Sequence, residues 1–69
     1  MNSKIGLAYY EEGLSLVENI DKIKNNHKKA YIQRAYEQFL LAQSHHNPDA
    51  QYQIRVIETT KEYSKYLDK

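Results

Sequence analysis

In a chain of 69 residues, chemistry has to come from few side chains, and the candidates are three histidines, an acidic pair and a run of lysines. His45 and His46 are adjacent, so on a helix they point about 100° apart and cannot chelate one ion as residues four apart could. His27 stands at the other end of the same expected helix. No metal is expected, and the histidines read as exposed helix-end residues, favourable to the dipole when protonated. Glu11 and Glu12 are neighbours on an acidic face rather than carboxylates converging in a cleft. No nucleophile stands beside a base and no glycine-rich phosphate loop is present. The chain is therefore expected not to be an enzyme and to use no cofactor.

The run KIKNNHKK, residues 22–29, gathers Lys22, Lys24, Lys28 and Lys29 and could contact phosphates. The net charge of +1 supplies no overall pull toward nucleic acid, but the charge is uneven. Glu11, Glu12, Glu18 and Asp21 make the first expected helix acidic, and the lysines with Arg34 make the next stretch basic. A small dimeric nucleic-acid-binding regulator is accordingly the second functional reading, behind the one reached below.

Three helices must position these groups. Ile5, Tyr9, Leu16, Ile20 and Ile23, with Gly13 completing the spacing, predict a helix over about 4–24 with one buried stripe. Leu7, Tyr10, Leu14 and Val17 repeat the spacing on an adjoining side, an apolar arc wider than one neighbour requires. Either that second stripe receives a partner, or helix 1 is wedged between helices 2 and 3 and buries both. Asn25 and Asn26 read as a turn or an N-cap. Helix 2, about 27–46, places Ile32, Ala35, Tyr36, Phe39 and Ala42 on one face, and the two alanines invite close approach of a neighbour. His46-Asn47-Pro48-Asp49 ends it, with Asn47 as cap, Pro48 in the first turn of the next helix and Asp49 favourable to its dipole. Helix 3, about 48–67, has Val56, Thr60, Tyr63 and Leu67 as its core stripe, Ile57 beside it, and Tyr52 and Tyr66 on the other side. Two short connections make the expected fold all-α, an antiparallel three-helix bundle forming one domain over 1–69.

Composition agrees. A hydrophobic content of 41% with two glycines and one proline is too apolar and too unbroken for disorder, although a chain this short buries only a small core. The absence of cysteine removes disulfides, which makes the cytoplasm the expected compartment, and no run resembles a signal peptide or reaches the length of a membrane span.

The order Tyr9, Gly13, Ala35, Phe39, Ala42 and Pro48 resembles the tetratricopeptide repeat, which asks for an aromatic, a glycine, Ala-x3-Phe and a closing proline. Glu12 stands where that family prefers leucine, and the stretch from Gly13 to Ala35 is roughly ten residues longer than a repeat of about 34 allows. In length the chain is similar to the MIT (microtubule-interacting and trafficking) domain, a three-helix relative whose second helix resembles Ala35-x3-Phe39-x2-Ala42. The resemblance implies a module that takes short helical or extended peptides in grooves beside helix 3.

Tyrosine supplies seven of the eight aromatics, a residue suited to half-buried positions and to binding surfaces. The expected function is a small protein-interaction module or inhibitor. Its expected partner surface is Leu7, Tyr10, Leu14 and Val17, with Tyr52, Tyr63 and Tyr66 of helix 3. The partner is a second protein or another copy of the chain, as a homodimer.

Overall fold

Helix 1 ends where a side chain competes for its backbone. The side-chain amide of Asn19 donates to the Ser15 carbonyl at 2.9 Å, which the Asn19 backbone amide also reaches at 3.2 Å. In the computed structural model, which describes residues 3–67, α1 accordingly spans Ser3–Glu18 rather than running on to residue 24. A short 3₁₀ turn, Ile20–Lys22, then buries Ile20. Helix α2 spans Asn25–Ser44, α3 spans Ala50–Thr59 and α4 is a single turn, Lys61–Ser64. The described residues form an all-helical fold with no strand.

Lys24, not an asparagine, takes the cap position of α2 and offers no side-chain acceptor, so Asn25 and Asn26 are the first helical residues rather than caps. The far end of α2 closes more tightly. His46 adopts φ 70°, which lets its amide reach the Gln43 carbonyl at 2.9 Å and the Asn47 amide reach the Ala42 carbonyl at 3.0 Å. The Asn47 side-chain oxygen then accepts from the amides of Asp49 and Ala50 at 2.9 and 3.1 Å, which holds the turn leading into α3, but α3 begins only at Ala50 with Asp49 flanking it, so Pro48 lies in the turn rather than in the helix's first turn.

The contacts set the register. Gly13 lies against Phe39 and Gly6 against the carbonyls of Ala42 and His45, so α2 runs antiparallel to α1. Tyr36 bonds Glu58, Gln43 bonds Gln51 and Gln33 bonds the Tyr66 carbonyl, so α3 and the C-terminal turn run antiparallel to α2 on its other side. Helices α1 and α3 each lie along α2 and approach one another much less closely.

The expected long third helix is broken. Thr59 donates its hydroxyl to the Arg55 carbonyl at 2.7 Å, and Thr60 turns extended at φ −92°, ψ 117°, before its carbonyl starts α4 by accepting from Tyr63 and Ser64. The core stripe of α3 is therefore Ala50, Ile54 and Ile57; Val56 and Thr60 are only half-buried. Tyr63, Tyr66 and Leu67 reach the core from beyond the break.

Phe39, Ile32 and Ile57 are the largest fully buried side chains, each contributing about 1.5–3 kcal/mol of hydrophobic stabilisation. The line of burial on α1 is Gly6, Gly13 and Ile20, seven residues apart. Gly13 and Ile20 belong to the first expected stripe, but Ile5, Tyr9 and Leu16 of that stripe turn to one side of the buried line, and Leu7, Tyr10, Leu14 and Val17 turn to the other.

Candidate interaction surface

A helix seated on two glycines lets its neighbour sink between its flanking side chains. On α1 the flank toward α3 carries Leu7, Tyr10, Leu14 and Val17, since the Tyr10 hydroxyl meets the Gln53 side-chain amide of α3 at 3.5 Å. The opposite flank carries Ile5, Tyr9, Glu12 and Leu16. Here the Tyr9 ring stacks on His45 with centroids 5.5 Å apart, and Glu12 pairs with Arg34 at 3.7 Å. The two stripes thus lie on either side of α2, and neither is wholly inside.

Within the expected partner surface, Tyr10, Leu14 and Val17 are half-buried and pack against the core, and Tyr10 tilts onto the Phe39 ring at 5.7 Å. Leu7 is 46% exposed. On α3, Tyr52 is 69% exposed and shares the outer face with Pro48, Arg55, Val56 and Thr59, which border a shallow depression. Tyr63 and Tyr66 pack against the core, and the Lys65 ammonium stands 5.1 Å over the Tyr66 ring. The structure brings Leu7, Tyr10, Leu14 and Val17 onto one flank. It sets Tyr52 on the outer face of α3 and Tyr63 and Tyr66 beyond the Thr60 break.

Of the basic run, Lys22, Lys24 and Lys29 are exposed and Lys28 is half-buried. Lys28 borders a depression between the start of α2 and α4 whose rim also holds Asp21, Glu62 and Lys65, so the charge there is mixed. His45 stacks on Tyr9, His46 forms the left-handed turn and His27 lies exposed in the first turn of α2. Among the described residues no three metal-ligating side chains gather. No helix among them is long and apolar enough to cross a membrane.

Sequence reasoning missed the exposed Ile5, Leu40 and Leu41. Ile5 was expected inside. Leu40 and Leu41 fall outside the Ile32, Ala35, Phe39 and Ala42 face, which was the signal that they lie on the surface. The phenol of Tyr36 donates to a Glu58 carboxylate oxygen at 2.5 Å, and that bond, with smaller contributions from burial and the carboxylate charge, raises its pKa.

No protein-family model matches this chain, and no curated protein or solved structure matches it.

Proposed function

We propose that the chain is a small protein-interaction module of tetratricopeptide or MIT-like character, working in the cytoplasm, that takes a partner helix or peptide along the α3-facing flank of α1. The carrying observation is Leu7, 46% exposed at the end of a flank that continues through the half-buried Tyr10 and Leu14. An apolar segment laid along this flank beside Leu7 would gain about 25 cal/mol for each Å² of apolar surface covered. The resemblance of Ala35, Phe39 and Ala42 to MIT and tetratricopeptide modules supports the same use of the space beside the third helix.

The test is an NMR titration of the chain with a panel of short amphipathic helical peptides. Binding should shift the resonances of Leu7, Tyr10, Leu14 and Val17, and Leu7→Glu should abolish the shifts while leaving helicity intact. If no peptide moves these resonances, or if Leu7→Glu binds as the parent does, the reading fails.

A further inference from the structure

We propose that the flank of the α1–α2 pair turned away from α3 is closed by a second copy of this chain, related by a two-fold axis parallel to the two helices. Glu12 and Arg34 lie on this flank. Each is two residues, about 200° around its helix, from a side chain that bonds α3: Tyr10 to Gln53 on α1 and Tyr36 to Glu58 on α2. Ile5 is seven residues before Glu12 and Leu41 seven after Arg34, nearly the same azimuth in both cases. Since α1 and α2 are antiparallel, both steps lead the same way, and Ile5 and Leu41 fall level with each other as Glu12 and Arg34 do. Both are large and exposed, 46% and 40%.

The flank therefore presents an acid on α1 beside a base on α2, and two aliphatic side chains further along. A two-fold axis parallel to the helices lays α1 of one copy on α2 of the other at equal height. Glu12 then meets the other copy's arginine, and Ile5 its leucine, so the surface complements itself in charge and in apolarity. An axis across the helices would lay α1 on α1 and α2 on α2, losing both matches. The second copy also answers a need of the chain itself. The buried core among the described residues is eight apolar side chains, three of them alanine, and the chain has no cysteine with which to staple it. This dimer uses the flank opposite the proposed peptide site and stands independently of that reading.

The experiment is solution mass by sedimentation over a concentration series, with helicity checked by circular dichroism. The parent chain should pass from monomer to dimer as concentration rises, and Leu41→Glu should stay monomeric with unchanged helicity. E12K and R34E should each dimerise about tenfold more weakly, because each places two like-charge contacts across the axis. Mixed in equal amounts, the two variants should recover association, since only the mixed pair sets lysine on glutamate and glutamate on arginine at both crossings. Within each variant chain the Glu12–Arg34 pair stays broken, so recovery reports the contact between copies alone. A parent that is monomeric throughout, a Leu41→Glu chain of unchanged mass, or a mixture no stronger than its components would each overturn the proposal.

Discussion

The ring of Phe39 occupies the space a side chain at Gly13 would need: a Cβ there would stand 2.6 Å from Phe39 Cε1 and 2.8 Å from Cζ. That contact fixes how deep α2 lies on α1, and so decides which residues of α1 end up on its flanks.

Gly13→Ala should therefore destabilise the fold although alanine is the better helix former. Overpacking costs about 1–3 kcal/mol against a propensity gain of about 1 kcal/mol, so a net loss near 1 kcal/mol is expected in urea unfolding. When it is paired with Phe39→Leu, the combined loss should be smaller than the sum of the two single losses, because the shorter side chain frees the space the added Cβ needs; a fully additive loss would show that the ring is not the obstacle. At Gly6 the nearest atom to an added Cβ is the His45 carbonyl oxygen at 3.0 Å, a backbone atom, and Gly6→Ala should shift the end of α2 rather than a side chain.

The turn between α2 and α3 offers two opposite changes. Asn47→Ala removes the acceptor of two amides and should cost about 1 kcal/mol. His46→Gly relieves a left-handed residue, and its gain should amount to less than about 1 kcal/mol once the greater freedom of unfolded glycine is subtracted. Thermal unfolding of both variants checks the pair of signs.

Stability should also fall in alkali through Tyr36. Folding raises the pKa of this phenol through its bond to Glu58, so the folded chain holds the proton more tightly than the unfolded one. The stabilisation is whole below the unfolded tyrosine pKa of about 10 and is lost as the pH rises through the folded value. Tyr36→Phe should flatten that part of the melting temperature against pH curve. An equally steep alkaline fall in the variant would place the effect on other groups.

The two flanks of α1 should respond separately. Leu7→Glu should leave the parent's solution mass unchanged while ending peptide binding, and Leu41→Glu should do the reverse. Leu14→Ala, by contrast, removes a side chain packed on the core and should lower stability by a part of the roughly 2–5 kcal/mol seen for full burial.

The all-helical character, the apolar face of α2 through Ile32, Ala35, Phe39 and Ala42, and the role of Asn47 were legible from sequence because each depends on neighbours within a turn or two. Helical periodicity and the asparagine's short side chain act locally. The azimuth of α1 was not legible. Its line of contact runs through Gly6, which adds nothing to a hydrophobic pattern, and through Gly13 and Ile20 of the first stripe, while Ile5, Tyr9 and Leu16 of that stripe turn to one flank and Leu7, Tyr10, Leu14 and Val17 to the other. Nor was the break at Thr60, which re-aims Tyr63, Tyr66 and Leu67 onto a core supplied by other helices. Periodicity tells which residues share a side of a helix; only the packed structure decides which side another helix occupies, because that choice rests on how closely two backbones can approach.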